Sequence, residues 1–595
     1  MSNVPADRPH LKNWPKRLPR ELVVPETSLW VNLEVSARRH PDKPLYTFFG
    51  CELTFAQAHA QAEAVAGWLQ SVGVQAGDRV LLTMQNCPQY TVATYGILRA
   101  NAVVVPVNPM NRSDELQHCI SDSQSRVAIC SAELAGVVEA ASAALPQGER
   151  LRQVLVTRYT DAMPAGEVAP EFAPPPAMDA WLRSDPPLPA GVVRWTEVLA
   201  RKLVPGPHTA TADDMAILPY TSGTTGNPKG CIHTHRTLMH NVIGGGVWGY
   251  CGAESVSLGV VPMFHITGML YGVHSPVYSG CTVVLMPRWD RELAGRLISR
   301  YRVTHWTCIP TMIIDLLASP HYASFDLTSA PEPAASRQAP RGGQGNLGAA
   351  RRFLESLRYL SGGGAAMPYA VAERLRDEFG LLFAEGYGLT ETAAPSHANP
   401  PECPKLQCLG IPIFGVDSRV VDPLTLQELP VGEVGEIITH GPMVFKGYWR
   451  HPEATAAAFV EFEGKTFFRT GDLGRMDEDG YFFLTDRLKR MINASGFKVW
   501  PAEVELLLYK HPAVQEACII AARDAYRGET VKAVVVLRSE AMGKTAPEDI
   551  TAWSRDHMAA YKVPKIVEFV DELPKSGAGK VMWRLLQDQE AQRGV

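Results

Sequence analysis

Three consecutive stretches constrain the fold more than anything else in the chain: "RVLLTM" at Arg79–Met84, "PQYTVATYGILRA" from Pro88, and "AVVVPV" at Ala102–Val107. The first and third are short apolar runs with β-branched residues, as buried strands are. The second has apolar residues at helical spacing and opens on a proline, which suits the first turn of a helix. Strand, helix and strand in this order form a crossover, and a crossover makes the two strands parallel. "LQHCISDS" followed by "RVAIC" continues the alternation. The expected fold class is α/β, with helices layered on parallel sheets.

At 595 residues the chain exceeds what one hydrophobic core supports, so at least two domains are expected. The texture changes near Asp486, where "DRLKRMINASGFKVWPAEVE" is dense in charge. Beyond it lie the expected strands "ACIIAA", "KAVVVLR" and "IVEFV", with a helix around Ile550–Ala560. This predicts a small α+β domain of roughly 100 residues. The expected division is 1–488 and 489–595. Two segments interrupt the larger part. Ala162–Gly191, with "PPP" and "DPPLPAG", reads as a surface excursion. "SAPEPAASRQAPRGGQGNL" at Ser329–Leu347 has almost no large apolar residue, which predicts a disordered insertion over about 329–350.

Composition excludes several classes. With 46% hydrophobic and 20% charged residues the chain is ordinary globular protein. A net charge of −5 leaves no basic surplus for a nucleic-acid backbone. The eleven cysteines are scattered singly, without a zinc or disulfide framework, which suits a reducing cytosol. The most apolar stretch, Ser255–Pro287, is broken by His265, Gly268, His274, Pro276 and Gly280, so it predicts buried strands and helices rather than a membrane span. No apolar leader opens the chain and "QRGV" carries no lipidation or peroxisomal signal, so the expected location is the cytoplasm.

"YTSGTTGNPKG", Tyr220–Gly230, packs glycines, hydroxyls and one lysine into eleven residues. Such a loop suits a polyphosphate, although it is not a Walker A loop: Lys229 is followed by Gly230, where that motif needs Ser or Thr. The alternative is an ordinary Gly/Thr turn. His233 and His235, two apart, would share one face of a strand, but two ligands without a third make no metal site.

Six stretches in order resemble the adenylate-forming superfamily: "YTSGTTGNPKG", "PMFHITG", "EGYGLTET", "FRTGD", "DRLKRMINASGFKVWPAE" and "LPKSGAGK". Its members include acyl- and aryl-CoA synthetases, luciferases and peptide-synthetase adenylation domains. The resemblance runs from about Ser28 to about Leu586. It implies a large N-terminal domain of αβ layers and a small mobile C-terminal lid. It also implies ATP, Mg2+ and coenzyme A, a small-molecule carboxylic acid substrate, and a homodimer as the expected oligomer.

The resemblance implies roles residue by residue. Thr221, Ser222, Gly223, Thr224, Thr225, Gly226 and Lys229 would grip the β- and γ-phosphates. Glu391 would hold Mg2+, and Thr390 would donate to the α-phosphate. Tyr387, with Gly386, would lie against adenine, and Asp472 and Arg487 would take the ribose and phosphate. Gly362, Gly363 and Gly364 would separate adenine from the acyl group, and His265 would sit beside the acyl tunnel. Lys580 would bridge the carboxylate and the α-phosphate, Ser495, Gly496 and Phe497 would line pantetheine, and Lys489 would be the hinge. Departures occur at His440, where many relatives have arginine, at Ala578, where threonine is usual, and at Asn493, where coumarate-type ligases have lysine.

The implied reaction is acid, ATP and CoA to acyl-CoA, AMP and pyrophosphate through an acyl-adenylate, with a medium- or long-chain fatty acid as the expected substrate. Cations and aimed donors are what such a step needs, since an anion must approach a polyanion. Alternatives are an aryl-acid CoA ligase, an acyl-AMP ligase loading a carrier protein, or a nucleotide-binding scaffold that has lost catalysis.

Overall fold

The computed structural model describes residues 8–221, 228–321, 357–364, 366–487, 490, 492–494, 497–499, 501–524, 528–575 and 581–593. The chain divides into two compact units. One comprises Met1–Gly223, Asn227–Asp417 and Gly441–Ala457; the other comprises Thr224–Gly226, Ser418–His440 and Ala458–Val595.

In the first unit the opening motif forms as expected. Strand Arg79–Thr83, helix Pro88–Arg99 and strand Val103–Pro106 make a crossover, and the strands pair in parallel with Val80 opposite Val104. Val127–Ser131 joins the other side of Arg79–Thr83, also in parallel. Every residue of Val103–Pro106 and of Val127–Ser131 is buried. That pattern belongs to a parallel sheet covered on both faces.

Among the described residues a second sheet has nine strands, and Tyr359–Gly363 lies near its middle, parallel to His305–Cys308 on one side and Phe383–Leu389 on the other. Ala394–Ala398 then turns back antiparallel to Phe383–Leu389. The apolar stretch at 255–287 is strand Val256–Gly259, a helical run and strand Thr282–Leu285. The helical run is α-helical at Ile266–Met269, π-helical at Leu270–His274 and α-helical again at Ser275–Ser279. Among the described residues no helix is long and apolar enough to cross a membrane. The excursion at 162–191 carries a short helix, Pro176–Leu182, pinned by buried Leu182. All eleven cysteines are free.

In the second unit, Lys465–Met476 pairs antiparallel with Gly435–His440, Phe459–Phe462 and Phe482–Arg487. Farther along the chain, Val514–Asp524 and Gly528–Leu537 form a long antiparallel pair, and Ile566–Phe569 adds to it in parallel. Helices Pro501–Leu508, Pro547–His557 and Trp583–Arg593 accompany this sheet. The strands and the helix expected beyond Asp486 are all present. The insertion expected over 329–350 lies outside the described residues.

Candidate active site

Parallel strands leave a crevice beyond their carboxyl ends, where ligands bind in open α/β sheets. Two glycine-bearing strand ends meet there. Gly362 lies opposite Glu385 and Gly363 opposite Gly386. The strands run so close that a Cβ on Gly362 would stand 2.1 Å from the Cys308 carbonyl oxygen, and one on Gly363 would stand 2.4 Å from that of Gly386. Gly364 follows the strand at φ +83°, a conformation that favours glycine. In "EGYGLTET" the close approach is at Gly388, whose added Cβ would lie 1.7 Å from the Ala394 oxygen. Gly386 is less tight, with 3.4 Å to His397.

Phe383–Leu389 ends in the single turn Thr390–Thr392, which presents Glu391. Three side chains from other segments hold this turn. His233 Nε2 donates to the Thr390 carbonyl at 2.7 Å. Burial pushes the His233 imidazole down to about 4, so the ring is neutral near pH 7. Asn241, on helix His235–Trp248, donates its side-chain amide to the carbonyls of Thr392, Ala393 and Pro395 at 3.0, 2.9 and 2.9 Å. Tyr448 Oη donates to Glu391 Oε1 at 2.8 Å.

The ends of the Gly/Thr loop form a two-residue hairpin, with Thr221 opposite Lys229 and Tyr220 opposite Gly230. Tyr220 Oη donates to Asp122 at 2.6 Å, and His118 Nε2 donates to the Pro228 carbonyl at 2.7 Å. The Lys229 ammonium lies 5.4 Å from the centre of the Tyr448 ring. Ser222, Gly223, Thr224, Thr225 and Gly226 lie outside the described residues.

His265 is exposed at the start of helix Ile266–Met269, where its Nδ1 accepts from the Thr267 N–H at 3.3 Å. A histidine inside so apolar a run would ordinarily be core, and this one is not, because the chain turns outward at Pro262–His265 before the helix. Buried Asn86 fixes that turn by accepting from Met263 N at 2.8 Å and donating to the Val261 carbonyl at 3.1 Å. The helix packs against strand Ala394–Ala398, beside the Glu391 turn. His233 and His235 do not share a strand face. The strand ends at Thr234 and His235 opens the helix, where its Nδ1 accepts from Leu29 N at 3.0 Å.

In the second unit, Asp472 lies directly opposite Arg487 across antiparallel strands. It is buried, and its N–H donates to Thr470 Oγ1 at 3.1 Å. Gly471, at φ +68°, lies within strand Lys465–Met476 where the register with Gly435–His440 shifts, and Glu436 accepts from its N–H at 3.3 Å. Phe497 lies in strand Phe497–Val499, opposite Ala494. Lys489, Ser495, Gly496 and Lys580 lie outside the described residues, as do the side chains of Arg487 and Phe497.

Glu385, Asn241 and Tyr448 are residues that sequence reasoning passes over. Burial pushes the Glu385 carboxyl up to about 7, against the N–H groups of Gln407 and Met367, which favour its charged form. Of the three, Asn241 carries a sequence signal: it is a lone amide in the largely apolar "LMHNVIGGGVW", and a buried amide needs partners.

Chemically, the first unit gathers a carboxylate, a lysine and backbone groups at one strand end. Among the described residues no group of three or more His, Cys, Asp or Glu could hold a metal alone. A single carboxylate fits Mg2+, which takes one or two carboxylates and completes its shell with phosphate oxygens and water.

The family model described as AMP-binding enzyme matches residues 33–449, and that for the AMP-binding enzyme C-terminal domain matches 503–580. The chain is 34% identical over 600 residues to a long-chain-fatty-acid–CoA ligase of Bacillus subtilis, covering 99% of each. It is 34% identical over 551 residues to a feruloyl-CoA synthase of Amycolatopsis, covering 92% of this chain and 96% of that one. ATP-bound MatB from Rhodopseudomonas palustris superposes with a TM-score of 0.77 at 26% identity, over 95% of this chain and 99% of that one. With the family models spanning most of its length, the chain belongs to the AMP-binding enzymes, the adenylate-forming acyl-CoA synthetase superfamily.

Proposed function

We propose that this AMP-forming acid–CoA ligase activates an elongated apolar acid, of medium or long chain, as its acyl-adenylate. The observation that carries the reading is the Glu391 turn. It stands at the end of strand Phe383–Leu389, beside the strand end of Gly362–Gly364, and is tied through Tyr448 to Lys229.

In this reading the Gly/Thr loop and Lys229 take the β- and γ-phosphates. Tyr387 and Gly386 take adenine, and Asp472 and Arg487 take the ribose. Glu391, together with phosphate oxygens, would hold Mg2+, which would supply charge neutralisation at the departing pyrophosphate. Thr390 donates to the α-phosphate. Lys580 faces both the acid and the α-phosphate, so that two anions are held in line. The lid begins at Lys489, and residues 495–497 guide pantetheine to the acyl carbon. The enzyme works in the cytoplasm.

The fatty-acid choice follows the Bacillus subtilis relative, which is matched over nearly the whole of both chains. The feruloyl-CoA synthase relative supports the aryl-acid alternative. ATP–pyrophosphate exchange with acetate, octanoate, palmitate and ferulate separates them. We expect kcat/KM to rise from acetate to octanoate, since each buried CH2 is worth about 0.8 kcal/mol. Equal rates with acetate and octanoate, or ferulate above both fatty acids, would overturn the fatty-acid reading. Acyl-CoA formation from free CoA excludes a dedicated carrier-protein ligase.

A further inference from the structure

We propose that Tyr448 is a positioning residue for adenylation: its hydroxyl sets the Glu391 carboxylate, and its ring face receives the Lys229 ammonium. The proposal rests on the reading of Glu391 as the Mg2+ carboxylate and of Lys229 as the phosphate-binding lysine.

The backbone around Tyr448 is fixed before its side chain is considered. Trp449 N donates to the Gly230 carbonyl at 2.8 Å, Ile232 N to that of Gly447 at 2.9 Å, and Lys446 N to that of Ile232 at 2.9 Å. Cys231 and Tyr448 thus form an antiparallel bridge. Tyr448 N also donates to Thr455 Oγ1 at 2.9 Å. The same strap reaches the Glu391 turn, because Phe445 N donates to the Glu391 carbonyl at 2.8 Å. One short segment therefore binds the exit of the phosphate loop and the main chain of Glu391.

The side chain then makes two contacts of different kinds. The phenol donates to Glu391 Oε1 at 2.8 Å. A hydrogen bond to a carboxylate is stronger than a neutral one, and here it holds one oxygen of Glu391 in place. The face of the same ring lies 5.4 Å from the Lys229 ammonium, within cation–π range.

One residue therefore contacts both the carboxylate and the lysine that the phosphates and their metal would require. Outer partners of this kind are worth about 10- to 100-fold in metal affinity or activity where they have been removed.

The two contacts can be removed separately. Tyr448→Phe keeps the ring and loses the hydroxyl; Tyr448→Leu loses both. ATP–pyrophosphate exchange is measured across a Mg2+ titration, and ATP binding is measured by calorimetry with and without Mg2+. We expect Tyr448→Phe to need about ten-fold more Mg2+ for half-maximal exchange and to lose most of the Mg2+-dependent gain in ATP binding, with the KM for the acid unchanged. Tyr448→Leu should also raise the KM for ATP. Conversion of supplied acyl-adenylate and CoA to acyl-CoA should stay near wild type in both, which shows that they are folded. In a Glu391→Ala background, Tyr448→Phe should add less than about two-fold, because its target is gone. A merely structural tyrosine would cost as much in either background, and that result would overturn the proposal. So would wild-type Mg2+ dependence of Tyr448→Phe beside a crippled Glu391→Ala. Wild-type Mg2+ dependence of Glu391→Ala itself would instead overturn the reading of Glu391, and the proposal with it.

Discussion

Asn241 donates its side-chain amide to the Ala393 carbonyl at 2.9 Å, and so anchors the backbone immediately beyond Glu391 from a helix about 150 residues away in sequence. Ala393 and Ala394 both have positive φ, 51° and 75°. Non-glycine residues in that region cost about 1–3 kcal/mol each and persist only where the surroundings force them. The surroundings here are the three carbonyls that Asn241 collects, at Thr392, Ala393 and Pro395. Asn241→Leu keeps the volume and removes the donors, so buried carbonyls lose their partner. We expect a loss of about 3 kcal/mol in urea unfolding and at least a ten-fold fall in ATP–pyrophosphate exchange. Wild-type stability would show that the strained turn stands without the amide.

The two glycines of "GYG" should respond oppositely to alanine. An added Cβ at Gly388 would meet the Ala394 oxygen at 1.7 Å, while one at Gly386 would meet nothing closer than 3.4 Å. The Gly388 clash is with backbone and cannot be relieved by a rotamer change. We expect Gly388→Ala to cost about 3 kcal/mol or to abolish folding, and Gly386→Ala to cost less than about 1 kcal/mol. Circular dichroism melts of the two variants decide this; equal losses would refute the assignment.

The contrast shows how far the sequence reaches. The crossover at 79–107 was legible because parallel buried strands leave continuous apolar runs, and both strands and the helix lie where those runs are. The order of the motifs was legible too, so Thr221 with Lys229, Gly363 with Gly386, and Asp472 with Arg487 were all nameable beforehand. Their pairing across strands was not, because register depends on neighbours distant in the chain. Tyr448 was illegible for the same reason: it lies 57 residues from Glu391, and nothing in "KGYWRHPEAT" points back to "LTET". The exposure of His265 and the separation of His233 from His235 are not legible in local pattern. A chain reversal at Pro262 and a helix start at His235 decided them instead.

Glu385 should impose a pH dependence on stability. Its carboxyl ordinarily titrates near 4.5, and burial raises it to about 7 in the folded state. The folded state therefore binds the proton more tightly than the unfolded chain. Its contribution is fully present below 4.5 and is lost as pH rises through 7. Glu385→Gln is uncharged throughout and removes the dependence. From pH 5 to pH 8, the wild type should lose about 2 to 3 kcal/mol relative to the variant, measured by urea unfolding at both pH values. A difference independent of pH would mean that the carboxyl is not raised.

The two half-reactions should separate by mutation. Lys575 pairs with Val581 in an antiparallel bridge, and Met582 N donates to the Pro574 carbonyl at 2.8 Å. The segment that carries Lys580 is thereby anchored at both flanks. Ser495 and Gly496 lie in sequence between strands Ile492–Ala494 and Phe497–Val499, which pair with Asn493 opposite Lys498. Lysine is needed while two anions are forced together, and the need ends when pyrophosphate leaves. In the proposed reading residues 495–497 guide pantetheine, which is needed only afterwards. Lys580→Ala should therefore lose pyrophosphate exchange by about 100-fold or more while still converting supplied acyl-adenylate and CoA to acyl-CoA. Gly496→Trp should retain exchange and lose thioester formation, because a bulky ring would fill that path. If Lys489 is the hinge, as proposed, Lys489→Pro should follow Gly496→Trp, since proline would fix φ where the proposed lid turns between the steps. Equal loss of both half-reactions in a folded Lys580→Ala would sink the two-state lid.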